Sequence, residues 1–308
     1  MYAIEAQSLT KTFSPSGVEA VRGVDFAVHA GEVFGLLGPN GAGKSTTVGM
    51  LTTTIIPTRG HALVGGYDVV EQPLLARGVS SVVFQEPVVD GSLTGRANIE
   101  LHARLWGAGS EGRIRELTDV LGLAELIDRP VSSYSGGERR RLEIARALVS
   151  DPAVLFLDEP TVGLDPRIRH ELLDVIAGLR ARKELTILVT THYLDEAQRL
   201  CDRVAIMHDG NVVALDSPQA LLARLGQEIL EFRVDGDARS ALAALRVKRL
   251  ASDDAFAVGS RVTVPLHEHA AAEVLAGLDA RVSEIAARVP TLDDVYLQMT
   301  GTQLKEAA

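Results

Sequence analysis

Apolar and polar positions along this chain run in two rhythms. Near the N-terminus Tyr2, Ile4 and Ala6 alternate with other residues, as one face of a strand does. Residues 9–13, a polar turn over Ser14, Pro15, Ser16 and Gly17, and residues 21–28 continue that rhythm as a second strand. Largely apolar runs at 32–37, 154–157 and 185–190 predict buried strands, and 80–84 reads as another apolar strand. Between them the period lengthens. Helices are expected at 45–51, 96–106, 112–123, 167–182 and 193–203, and from Ser135 onward, where Leu142, Ala145, Leu148 and Val149 share one face. Asp209-Gly210 between two apolar runs signals a hairpin. Beyond Gly226, Leu230, Phe232 and Val234 alternate, as do Val262, Val264 and Leu266, predicting two strands. Helices are expected there at 238–245 and 268–278, and Thr291 with Asp294 resembles a capping box opening a last one. Strands alternating with helices describe an α/β protein.

The stretch Gly38, Pro39, Asn40, Gly41, Ala42, Gly43, Lys44, Ser45, Thr46 joins the strand at 32–37 to the helix at 45–51. It has the phosphate-binding P-loop spacing, glycine, four residues, then glycine, lysine and serine. Glycines let successive N–H groups turn inward on a polyphosphate, and the helix presents its positive end to the same anion. Lys44 adds a mobile charge, and the Ser45 hydroxyl is of the kind that holds Mg²⁺. Asp158 and Glu159 close the apolar run at 154–157, so a buried parallel strand delivers both to its C-terminal end, where ligands bind in open α/β sheets. Asp158 is then suited to Mg²⁺ and Glu159 to orienting and deprotonating a water. Gln85, at the end of another strand, is either a surface residue or a metal ligand through its amide oxygen. Phe13 either stacks on an adenine ring or packs in the hairpin core. Ser135, Gly136 and Gly137 form either a second anion site at a helix's positive end or an ordinary capped start. His192 follows a strand at the same edge and is either structural or within reach of a γ-phosphate. Arg139, Arg140 and Arg141 read most simply as a solvated face. His267 and His269 lack further ligands to complete a metal site, and a solvated strand end is the simpler account.

The bulk numbers narrow the class. The chain has 308 residues, 46% hydrophobic and 23% charged, enough for one large or two medium domains with a substantial core. Its net charge of -10 argues against a nucleic-acid surface and against direct adhesion to acidic lipid. Its single cysteine, Cys201, rules out an internal disulfide and fits a reducing compartment. The first residues lack the pattern of a signal peptide, and no apolar run approaches a membrane span. A role at a membrane would therefore require another polypeptide to cross it.

Taken in order, these landmarks resemble the ATP-binding subunit of an ABC transporter over about residues 3–225. Gly38 to Thr46 resembles Walker A, Gln85 the Q-loop, Ser135-Gly136-Gly137-Glu138-Arg139 the signature motif, and 154–158 Walker B. Glu159 resembles the catalytic glutamate, Gly163-Leu164-Asp165 the D-loop, and His192 the switch histidine. Phe13 falls where that family's adenine-stacking aromatic sits. Tyr134 and Glu138 depart from the family's leucine and glutamine, while the serine and glycines are intact; Glu138 adds negative charge beside them. Asp90, the stretch from Leu93 to Arg96, the run from Arg139 to Arg146 and the ending 290–301 are similar to the bacterial drug-resistance subfamily of ABC-2 exporters, typified by daunorubicin exporters. The resemblance implies a P-loop ABC-type domain over 1–225. That domain would have a mixed sheet, an antiparallel β edge and a helical subdomain at about 91–150. A small C-terminal α/β domain would span 226–308. It further implies ATP and Mg²⁺ as ligands and a head-to-tail ATP sandwich with a second copy. The partner would be a separate integral membrane permease, placing the chain peripherally on the cytoplasmic face of the membrane. Subfamilies that move lipid or polysaccharide share some of these patterns. Soluble ABC ATPases of translation or repair carry two cassettes or a long coiled coil, whereas this chain has one P-loop and no heptad run.

Overall fold

The computed structural model describes residues 1–109, 111–180, 185–267 and 269–302. The chain divides into two compact units, Met1–His192 with Leu200–Val212, and Tyr193–Arg199 with Val213–Ala308. The boundary expected after residue 225 thus falls inside the second unit as compactness defines it.

The first unit holds two sheets. Strands Tyr2–Phe13 and Val18–His29 pair antiparallel, and Arg59–Val64 joins the first of them on its other side, with Tyr67–Asp68 beyond. The larger sheet has in order Arg203–His208, Val33–Leu37, Thr186–Thr191, Val154–Asp158 and Ser80–Val83, all running parallel. Every residue of Val33–Leu37, Val154–Asp158 and Thr186–Thr191 is buried. That explains their largely apolar composition: with every position buried, little in these strands is left to water. Each fully buried Leu, Ile, Val or Phe contributes about 1.5–3 kcal/mol, and these three strands form the middle of the core.

Because the strands are parallel and in register, their C-terminal ends meet at one edge. Leu37 pairs with Thr191 and Ile206, Asp158 with Thr190, and Val83 with Leu157. The loops that leave this edge begin with Gly38, His192, Asp209, Glu159 and Phe84, which is how residues far apart in sequence converge. The helices of this unit include Lys44–Leu51, Gly95–Leu105, Glu111–Val120, Gly136–Leu148 and Pro166–Arg180. The last of these was expected to run to residue 182; its expected end lies outside the described residues. The helix expected at 193–203 is shorter, Leu194–Leu200, because Arg203 already belongs to the next strand.

The second unit contains an antiparallel sheet in the order Phe256–Val258, Arg261–Pro265, Ile229–Val234, Val282–Arg288. Helix Ala238–Val247 packs on it, and Leu230, Phe232, Val234, Leu242, Leu245, Val262 and Val264 form its core. Two of the four strands were not expected. Phe256–Val258 has three residues, and Val282–Arg288 is exposed along most of its length, so neither shows a readable alternation. Helix Ala271–Ala276 falls within the span expected at 268–278, whose first residue lies outside the described residues. At the start of helix Leu292–Thr300 the Thr291 N–H and hydroxyl both donate to Asp294 Oδ2, at 2.8 and 3.0 Å, where the capping box was expected. Burial pushes Asp294 upward, but the bonds from Arg288 at 2.7 and 2.8 Å and the Thr291 N–H prevail and hold its carboxyl below the usual range. On the outer strand Glu284 has φ 50, the register slips between Glu231 and Arg233, and Glu284 pairs with Arg233 at 2.8 Å. His267 pairs with Asp254, and His269 with the Arg249 carbonyl; among the described residues no group of three or more His, Cys, Asp or Glu gathers to hold a metal.

Candidate active site

The loop after Val33–Leu37 closes tightly because two of its glycines stand where no other residue fits. Gly38 has φ 148, and a Cβ there would lie 2.3 Å from the Met207 carbonyl. Gly43 has φ 102, and a Cβ there would lie 2.4 Å from the Ala20 carbonyl. The Ala42 N–H donates to the Pro39 carbonyl at 3.1 Å, which curls the loop, and Gly43 precedes helix Lys44–Leu51. The buried Lys44 ammonium donates to the carbonyls of Gly38 at 2.8 Å and Pro39 at 3.2 Å, and lies 3.2 Å from Glu159 Oε1.

Asp158 and Glu159 arrive from the neighbouring strand. The Ser45 hydroxyl donates to Asp158 Oδ1 at 3.2 Å, so the hydroxyl and the carboxylate expected to act together are in contact. The Thr190 hydroxyl donates to the same oxygen at 2.5 Å. Glu159 has φ 44, a left-handed backbone that costs a non-glycine residue about 1–3 kcal/mol and recurs at functional sites. Its N–H donates to Thr190 Oγ1 at 2.9 Å, and His192 Nδ1 lies 3.4 Å from its Oε1. Asp158, Glu159, Lys44, Ser45 and His192 therefore form one connected cluster.

A cavity of about 590 Å³ opens beside this cluster. Asn40, Gly41, Gly43, Lys44, Ser45, Thr46, Gln85 and Glu159 line it, with Phe13, Val18, Glu19, Ala20, Arg22, Asp209 and Gly210 on the other walls. Phe13 is exposed at its rim rather than packed in the hairpin, with Lys11 Nζ 5.2 Å from the ring centroid. Hard oxygen donors suit Mg²⁺, which shares its shell between a few protein oxygens and phosphates rather than entering an all-protein cage. The Ser45 hydroxyl, the Asp158 carboxylate and the Gln85 amide fit that description.

Ser135, Gly136 and Gly137 stand apart from these walls. Ser135 caps helix Gly136–Leu148: its Oγ accepts from the Glu138 N–H at 3.3 Å, and its own N–H and hydroxyl donate to Glu138 Oε2 at 2.7 and 2.8 Å. Those Ser135 bonds hold the Glu138 carboxyl below the usual carboxylate range, with partial burial opposing them. Tyr134 is buried, its hydroxyl donating to the Leu126 carbonyl at 2.5 Å, and burial pushes its phenol upward.

Arg140 corrects the reading of Arg139 to Arg141 as a solvated face. It is buried and pairs with Glu143 at 2.8 Å. It also donates to the carbonyls of Phe84 at 2.5 Å, Asp158 at 2.9 Å, Glu159 at 3.3 Å and Pro160 at 2.9 Å. Glu143 in turn accepts the Val88 N–H at 3.0 Å. One guanidinium thus fastens the signature helix to the loops that carry Gln85 and Glu159. Its spacing from the buried Gly137, Ile144 and Leu148 puts it on the inner face, a signal the charge of its neighbours masks.

Comparison with known proteins agrees with this geometry. The model of the family described as ABC transporter matches residues 21–162. The daunorubicin/doxorubicin resistance ATP-binding protein DrrA of Streptomyces peucetius is 40% identical over 97% of this chain and 92% of its own length. The chain belongs to the ABC transporter family, as an ATP-binding subunit. A Mycobacterium tuberculosis relative named doxorubicin resistance ATP-binding protein DrrA is 38% identical over 97% of this chain and 93% of its own. The Nod factor export ATP-binding protein I of Rhizobium meliloti strain 1021 is 37% identical over 99% and 90%. Among solved structures, cbiO1 of Clostridium perfringens, part of the ABC transporter complex cbiONQ, aligns with a TM-score of 0.67. It is 28% identical over 72% of this chain and 91% of that one. As an ABC ATPase the chain binds and hydrolyses ATP, with the mixed sheet of that fold. No helix among the described residues of this ABC subunit is long and apolar enough to cross a membrane.

Proposed function

We propose that this subunit energises an ABC-2 type membrane exporter of drugs or other hydrophobic small molecules. The observation that carries the proposal is the meeting of Ser45 with Asp158 and of Lys44 with Glu159 beside one cavity. The drug-resistance names of several relatives supply the cargo class, and another relative is named for Nod factor export. Backbone N–H groups within residues 40–46 and the Lys44 ammonium bind the triphosphate, and Phe13 stacks on the adenine. Ser45, Gln85 and Asp158 hold Mg²⁺, which when bound neutralises charge on the phosphate oxygens. Glu159 orients the attacking water and accepts its proton, and His192 contacts the γ-phosphate.

The second half of the site comes from a second copy of the chain. In a head-to-tail pair, Ser135, Gly136 and Gly137 of one copy cover the triphosphate on the other, excluding water and strengthening each charged contact. Their absence from the lining of the cavity in their own copy supports that arrangement. The membrane partner is a separate permease docking on the segment after Gln85, where Val88, Leu101 and Leu105 are exposed, which makes the subunit peripheral on the cytoplasmic face. Neither nucleic acid nor lipid is a direct partner, in keeping with the negative charge. The test joins two variants. Glu159→Gln retains ATP binding, loses turnover about 10²–10⁴-fold and accumulates as an ATP-bound dimer in gel filtration. Ser135→Arg binds nucleotide as a monomer and does not dimerise. Wild-type turnover by the first refutes the role of Glu159, and full dimerisation by the second refutes the shared site. Co-purification of a membrane-embedded chain tests the permease.

A further inference from the structure

The strand Thr186–Thr191 is buried throughout, and Ile187, Leu188 and Val189 need nothing but apolar neighbours. Thr190, equally buried, carries a hydroxyl that packing does not require. Threonine and valine have nearly the same shape, so the hydroxyl must be explained by what it touches. It touches both carboxylate residues of the site. It donates to Asp158 Oδ1 at 2.5 Å and accepts the Glu159 N–H at 2.9 Å.

The directions of these bonds are not interchangeable. A hydroxyl has one proton, and an ionised carboxylate can only accept. The Thr190 proton therefore goes to Asp158, and the lone pair left over is what receives the Glu159 N–H. A β-branched side chain has few χ1 choices, so both bonds are made from one stiff position. Thr190 is also the ladder partner of Asp158 in the parallel pair, which fixes the two side by side along the sheet. Asp158 Oδ1 receives Ser45 as well, so the carboxylate is held from two sides. At Glu159 the same hydroxyl anchors a backbone held at φ 44, the conformation that sends its side chain toward Lys44 and His192.

We infer that Thr190 is a positioning residue for ATP hydrolysis, aligning Asp158 through its donated proton and Glu159 through its accepted one. The inference rests on the roles proposed above for Asp158 and Glu159. It assigns Thr190 no contact with nucleotide, so binding and turnover must separate when its hydroxyl is removed.

The test compares Thr190→Val, which keeps the shape and loses the hydroxyl, with Thr190→Ser, which keeps the hydroxyl. In Thr190→Val, kcat falls about 10–100-fold, the range seen when partners behind a reacting group are lost, and KM for ATP stays within about twofold. The Mg²⁺ concentration for half-maximal turnover rises. Binding of a fluorescent ATP analogue without Mg²⁺ is unchanged, and hydrogen exchange at the Glu159 amide speeds up at least about tenfold. Thr190→Ser restores each of these toward wild type. Wild-type kcat in Thr190→Val overturns the inference. Failure of Thr190→Ser to rescue does so too, as does a loss of nucleotide binding that parallels the loss of kcat, which would mark a purely structural role. Glu159→Gln is run alongside. If it turns over at the wild-type rate the underlying reading of the site fails, and the inference with it; if it is inactive while Thr190→Val is fully active, only Thr190 loses its role.

Discussion

Replacing Arg140 by methionine tests how the site is held together. Methionine keeps much of the volume and removes the guanidinium. Glu143, itself buried, is then left with the Val88 N–H as its remaining bonded donor in this cluster. Breaking one side of a buried ion pair costs about 3–5 kcal/mol, since the other charge stays behind in a low dielectric. The carbonyls of Phe84, Asp158, Glu159 and Pro160 each lose a charged donor, but these losses share one group and do not add. An expected loss of about 4 kcal/mol corresponds to a fall in melting temperature of roughly 8–16 °C for a unit of this size. The chain's one tryptophan, Trp106, lies in the same unit, so urea unfolding followed by its emission reports the change locally. The double variant Arg140→Met with Glu143→Leu removes both charges and loses less than the single one, because no ion remains unpaired. A single variant within about 1 kcal/mol of wild type, or a double variant worse than the sum of its parts, refutes the account.

Gly43→Ala puts a methyl 2.4 Å from the Ala20 carbonyl at φ 102, so the loop must open; ATP affinity should fall at least about tenfold in calorimetric titration, while far-ultraviolet dichroism is preserved. Burial, reinforced by Arg146, lowers His102 to about 4 from an ordinary 6.5. The folded state thus favours the neutral ring, and its contribution is complete above about pH 6.5 and lost as pH falls toward 4. His102 is only half-buried, so after solvent screening the loss amounts to about 1 kcal/mol; His102→Gln should flatten that part of the stability profile, and an imidazole titrating near 6.5 by NMR contradicts it.

The parallel strands were legible because burial leaves them mostly apolar, as at residues 154–157 ahead of Asp158. The phosphate loop was legible because its glycines answer to sterics that no other residue can satisfy. Phe13 and the start of helix Gly136–Leu148 were visible only as alternatives, because a lone aromatic or a capped helix start reads the same with or without a ligand. Arg140 was misread since a charge among charges looks solvated, although its helical spacing places it inward. Thr190 went unnoticed because its meaning depends on a strand paired to its own and on the backbone angle of Glu159, neither of which local periodicity carries. The outer strand Val282–Arg288 was missed because both its faces meet water, so burial wrote no pattern into it.

That outer strand has a consequence of its own. An open sheet margin is a template on which identical chains can stack without limit. Here the left-handed kink at Glu284 and the slipped register break the straight row of hydrogen-bonding groups that stacking would copy. Arg233, Arg261 and Glu284 spend their charges across the sheet, so an incoming strand would have to strip those ions of their partners and their water. This margin is therefore a poor template for another copy of the unit to extend.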